Sequence, residues 1–119
     1  MNIEEFRTYC LSKRGVTESF PFGEETLVFK VMDKIFALAG LDAHPANANL
    51  KCDPEKAIEL REEHDGLIYP GYHMNKKHWN TVEIERNLPP ALIVELVDHS
   101  YDLVVKGLTK KLQAKLENM

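Results

Sequence analysis

The sequence predicts an α+β fold, an antiparallel sheet packed by helices, on three observations. Apolar residues recur at helical spacing near both ends of the chain. Between them lie short stretches rich in β-branched and aromatic residues, bounded by Gly, Pro and Asp. The resulting order, helix, strands, helix, strands, helices, is that of an antiparallel sheet with helices laid on it.

Asn2 can cap a first helix, with Glu5 three residues on to close a capping box. Ile3, Phe6, Cys10 and Leu11 then share a face, Lys13 and Arg14 suit the negative end of the helix dipole, and Gly15 supplies the stop. Phe20-Pro21-Phe22-Gly23 reads as a short extended piece and a turn. Thr26 to Met32 reads as a strand, Asp33-Lys34 as a tight turn, and Ile35 to Leu41 as a nearly all-apolar return strand, central and covered on both faces. After a loop from Asp42 to Asn47, Ala48 to Cys52 forms one more strand. Asp53 caps a second helix with Pro54 at its first position, closed by Gly66. His78 to Ile84 alternates as a strand, with Trp79, Thr81 and Glu83 on one side and Asn80, Val82 and Ile84 on the other. Leu88-Pro89-Pro90 opens a long helix whose buried stripe is Ile93, Leu96, Val97, Tyr101 and Val104. Gly107 ends it, and Thr109 caps a last helix with Leu112 and Leu116 inward.

At 119 residues the chain fits a single domain, 1–119. With 44% hydrophobic residues it can build a core without a metal or disulfide staple, so Cys10 and Cys52 read as buried free thiols in a reducing compartment. The start, Met1-Asn2-Ile3-Glu4-Glu5, is acidic where a secretion signal is basic, and no run is long enough to span a membrane. A cytoplasmic location is the expectation, with a monomer as the default. The net charge of -4 weighs against a dedicated nucleic-acid binder, although a local basic patch outweighs the total at short range.

The densest concentration of functional groups is His73-Met74-Asn75-Lys76-Lys77-His78-Trp79-Asn80-Thr81, which holds the single tryptophan. Lysines neutralise phosphates, and an exposed indole beside them stacks on a base; alternatively Trp79 fills the core and Lys76-Lys77 is a solvated turn. The histidines lack metal-ligand spacing, so no metal and no cofactor is expected. Asp98-His99-Ser100 sets three triad residue types side by side, but adjacent helix positions diverge. Ser100 is expected against the core and His99 outward or over a neighbouring strand. No nucleophile elbow, phosphate loop or dinucleotide fingerprint is present, and no enzymatic activity is expected. The acidic run Glu59, Glu62, Glu63 and Asp65 reads as a solvated helix face.

The chain resembles the MmcQ/YjbR family of small bacterial proteins over nearly its whole length. The residues that carry the resemblance are Phe20-Pro21-Phe22-Gly23, the Val28-to-Leu41 hairpin, Asn49-Leu50-Lys51-Cys52, the His73-to-Trp79 segment and Asp98-His99-Ser100-Tyr101-Asp102-Leu103-Val104. The resemblance implies a fold similar to the frataxin-like CyaY arrangement. It also implies DNA binding, because that fold resembles a "double wing" module. It carries no catalytic residues to transfer.

Two functional expectations follow. In the first, the chain is a non-enzymatic DNA-binding accessory protein whose contact surface is His73, Asn75, Lys76, Lys77, His78 and Trp79, with Lys51 as a neighbour. In the second, it is a small-molecule or protein-partner binding module whose pocket is lined by Tyr69, Tyr72, His73 and Trp79. A concavity near Trp79 favours the second, and a convex basic ridge the first. Frataxin-like iron handling would need an acidic ridge on the first helix, where Glu4 and Glu5 are mixed with Arg7, Lys13 and Arg14.

Overall fold

The computed structural model describes every residue except Tyr72 and His73. Its elements run α1 (Ile3–Leu11), β1 (Val16–Ser19), β2 (Thr26–Val31), β3 (Lys34–Gly40), β4 (Asn47–Lys51), α2 (Pro54–Glu63), β5 (Ile68–Pro70), β6 (Trp79–Val82), α3 (Pro90–Lys106) and α4 (Lys110–Glu117). The strands form one antiparallel sheet in the order β1-β2-β3-β4-β6-β5. The predicted α+β class is the one observed.

Local chemistry sets the helix ends. Asn2 and Glu5 form the capping box of α1, the Asp53 carboxylate accepts from the Glu55 and Lys56 amides at the start of α2, and Thr109 caps α4. The stripe of α3, with Ile93, Leu96, Val97, Tyr101 and Val104 all buried, lies across β2, β3 and β4. It meets Phe29, Phe36, Ala48, Leu50 and Val82 from the sheet, and α1 adds Phe6 and Cys10 to the same core. Both cysteines are free and buried. Burial raises their thiols to about 12 for Cys10 and about 11 for Cys52, so both stay protonated and unreactive near neutral pH.

The β2–β3 turn corrects the sequence reading by one residue. Its central pair is Met32-Asp33, both at positive φ, so β2 stops at Val31 and Lys34 already pairs with it. A two-residue hairpin turn of type I′ needs positive φ at both centres, and here residues without glycine's freedom supply it. Further along, a register shift between Phe29 and Lys30 leaves Phe36 as an extra residue in β3. Phe36 and Ala37 therefore both join the helix-side core. The extra residue is anchored from α3, because Ser100 Oγ donates to the Phe36 carbonyl at 2.5 Å and accepts from the Lys51 amide at 2.9 Å.

Among the described residues no helix lies on the other face of the sheet. Val28, Leu38 and Trp79 form a separate small cluster there, with Ile35 and Met74 packed against it. One row of register partners crosses this face through all six strands: Ser19, Val28, Leu38, Asn49, Thr81 and Tyr69. The expectation that β3 is covered on both faces therefore holds only in part. Helices cover one side, and the other is shielded by Trp79 and Met74 around Leu38 and opens into a cavity beyond. No helix among the described residues is long and apolar enough to cross a membrane.

Candidate functional site

Along β4 the residues Asn47, Ala48, Asn49, Leu50 alternate, sending the alanine and leucine into the core and the two asparagines to the open face. On β6 the same alternation gives Val82 to the core and Thr81 to the open face, where Thr81 Oγ1 donates to Asn49 Oδ1 at 2.8 Å. Tyr69 lies opposite Thr81 on β5, and its hydroxyl donates to Glu83 Oε2 at 3.2 Å. Burial, together with the Glu83 carboxylate, raises the Tyr69 hydroxyl above its ordinary value, so it remains a donor.

Asn47, Asn49, Thr81 and Tyr69 line a cavity of about 350 Å³ whose larger apolar side chains are Leu38 and Met74. That volume is at the lower end of the range of about 300–1,000 Å³ typical of small-molecule sites. Thr26, Gly40 and the loop residues Asp42 and Ala43 complete its edge. The lining thus combines amide and hydroxyl groups with a small apolar surface, which suits orienting a compact polar molecule.

Trp79 lies beside this cavity, beneath Met74. It is 8% exposed and packs on Val28 and Leu38. An indole so placed is a core side chain, not an open stacking platform, and this corrects the expectation that it contributes to an exposed contact surface. Asn75 is likewise committed to the fold: its side chain accepts from the Lys77 amide at 2.8 Å, and its carbonyl accepts from the His78 and Trp79 amides. Arg61 of α2 fixes the same segment, donating to Asn80 Oδ1 at 2.7 Å and to the Lys76 carbonyl. Lys76 and Lys77 are exposed and His78 half-buried, while Lys51 is half-buried opposite Trp79 in the register. Of the expected pocket, Tyr69 reaches the cavity and Trp79 backs it; Tyr72 and His73 lie outside the described residues.

Sequence reasoning missed Asn47, Asn49, Thr81, Leu38 and Asp42 as site residues. The signal was present as polar residues at alternate positions of otherwise apolar strands, which marks a face without a helix.

The Asp98-His99-Ser100 run diverges in space. Asp98 leaves toward α1, accepting from Tyr9 Oη at 2.5 Å and Lys13 Nζ at 2.8 Å. Burial pushes its carboxyl up, but the hydrogen bonds from Lys13 and Tyr9 outweigh this and hold it below its ordinary value. His99 Nε2 accepts from the Asp53 amide at 3.1 Å, which requires that nitrogen to be unprotonated. Ser100 is fully buried, as expected, and bonded to β3 and β4. Among the described residues no group of three His, Cys, Asp or Glu side chains is arranged to hold a metal ion.

A model of the YjbR family matches residues 11–103. The uncharacterized protein YbdF of Escherichia coli O157:H7 is 42% identical over 97 residues, covering 82% of this chain and 79% of its own. The uncharacterized protein YjbR of Escherichia coli strain K12 is 35% identical over 111 residues, 93% of each chain. A crystal structure of a Deinococcus radiodurans protein with a DUF419 domain superposes with a TM-score of 0.90 at 42% identity, covering 98% of this chain and 88% of that one. A Pseudomonas syringae protein of known crystal structure gives 0.74 at 31% identity, covering 87% and 98%.

Proposed function

The chain belongs to the YjbR family, and from that premise and the geometry of the open sheet face we propose that it is a non-catalytic module that binds a small polar molecule in the cavity over Asn49 and Thr81. The observation that carries this reading is a sheet face that keeps hydrogen-bonding side chains at the centre of the fold, beside a buried tryptophan, with no helix of the described residues above them. A purely structural face would more simply be polar throughout or covered. The separate partners of Asp98, His99 and Ser100 support a binding rather than a catalytic role.

The test is a fragment screen by amide chemical-shift mapping, with Trp79 emission as a second reporter. Binders are expected to move Asn49, Thr81 and the Trp79 indole together. The double variant Asn49→Leu, Thr81→Val should abolish those shifts while leaving the circular dichroism unchanged. Hits that map to the helix layer, or that the double variant binds equally well, overturn the reading.

DNA binding is the second reading, favoured by the opposite end of the same sheet. Lys51 faces Trp79 across the register, Lys76 and Lys77 occupy the turn that leads into β6, and Arg61 grips that turn. These cations suit phosphate contacts whose strength falls steeply with salt. Duplex titration at low and high salt tests it. The Lys76→Glu, Lys77→Glu variant should lose a salt-sensitive affinity, and unchanged affinity in that variant removes this reading.

A further inference from the structure

We infer that the cavity takes an organic cation, an amine or guanidinium group on an apolar body, with Asp42 as its counter-charge; this rests on the reading of the cavity as a ligand site. Among the described lining residues Asp42 is the one with a charged side chain, and it stands at the edge beside Gly40. The remaining polar lining is neutral: the asparagines and Thr81 offer donors and acceptors, and Tyr69 spends its proton on Glu83. An anion entering here would meet a carboxylate and, among the described lining residues, no facing cation. A cation meets its opposite charge and keeps its apolar part against Leu38 and Met74.

The surroundings of the mouth point the same way. The sheet is polarised along its strands. Thr26, Gly40 and Asn47 mark one end, and near it in the chain lie Glu24, Glu25, Asp42, Glu83 and Glu85. Lys30, Lys34 and Lys51 mark the other end. Arg86 opposes the acidic end but lies 3.9 Å from the Glu83 carboxylate, and His44 is the further titratable group of the 42–47 loop. At this end also stand Phe20 and Phe22, 48% and 64% exposed, in the turn that delivers the chain to Thr26. Exposed aromatic rings attract cations by their quadrupole and offer apolar cover for a ligand body. The end of the sheet that holds the cavity is thus rich in carboxylates and carries two exposed aromatic rings, a setting matched to an amine bearing an aromatic or alkyl group.

Three probes of one size separate the charge from the shape: phenethylamine, phenethyl alcohol and phenylacetate, near neutral pH, followed by the Asn49 side-chain amide and Trp79 indole resonances. The amine is expected to bind most tightly, and Asp42→Asn to weaken it by about three- to fivefold, the effect of losing one exposed charge partner. Asp42→Lys, at an exposed loop position, is expected to reverse the order so that phenylacetate binds best. Equal binding of all three probes, unaffected by either variant, overturns the cation inference and leaves the cavity reading standing. Preference of the native chain for phenylacetate does the same. If no probe moves these resonances, the cation inference is overturned, and the cavity reading falls with it only when the fragment screen is also blank.

Discussion

The two faces of the sheet are built from the same strands and obey different rules. On the helix side Phe29, Phe36, Ala48 and Val82 are wholly or almost wholly buried, and the polar groups admitted there, Ser100 and Asn80, are each bonded to backbone. On the open side Leu38 and Trp79 sit next to Asn49 and Thr81, which bond to one another and face a cavity. Packing dictates nearly every residue of the first face. It dictates few of the second, so the side chains retained there are the ones packing leaves unexplained.

Mutations sharpen that contrast. Phe36→Ala removes a fully buried ring that meets Tyr101 edge-on at 5.4 Å, and should cost about 3–5 kcal/mol by urea unfolding. A loss below about 1 kcal/mol would mean that the helix-side core is looser than its burial indicates. Ser100→Ala removes only the hydroxyl and leaves the Phe36 carbonyl and the Lys51 amide without their partner. It should cost about 1–3 kcal/mol by the same measurement.

A pH scan tests the helix layer in a gentler way. Burial, with Lys56 nearby, lowers the His99 pKa from its ordinary 6.5, so the unfolded chain takes up a proton there before the folded one does. The contribution of His99 is complete above pH 6.5 and is lost as the pH falls from there through the lowered folded value. The melting temperature should therefore drop in that window, and His99→Gln should flatten the drop. Smallest of all, Asn49→Leu with Thr81→Val should change stability by no more than about 1 kcal/mol while abolishing ligand binding. A larger loss would show the open-face polar pair to be structural after all.

The sequence made the helix side legible because burial there is periodic and continuous. Every stripe residue expected on α3 is buried, and the caps at Asn2, Asp53 and Thr109 form as their residue types imply. Positions set by backbone geometry were harder to see. Met32 at positive φ follows no propensity, and the bulge at Phe36 depends on pairing between strands. The candidate site was legible only in fragments. The density of functional groups from His73 to Thr81 drew attention to β6, whose Thr81 lines the cavity, but composition cannot tell that Trp79 packs against Met74 or that Asn75 is consumed by its own turn. Asn49 and Thr81 touch only because β4 and β6, distant in sequence, are neighbours in the sheet.

The two outer strands deserve a last consequence. β1 has four residues and β5 three, and β5 ends in Pro70, which has no amide hydrogen to offer a newcomer. On β1 the Glu18 carboxylate is gripped by Arg7 of α1 at 2.8 Å, placing charge along that border. Short, charged or proline-ended borders give a foreign strand little to add to. A sheet with one bare face can thus remain a discrete particle at high concentration, because its borders resist the growth of fibrils.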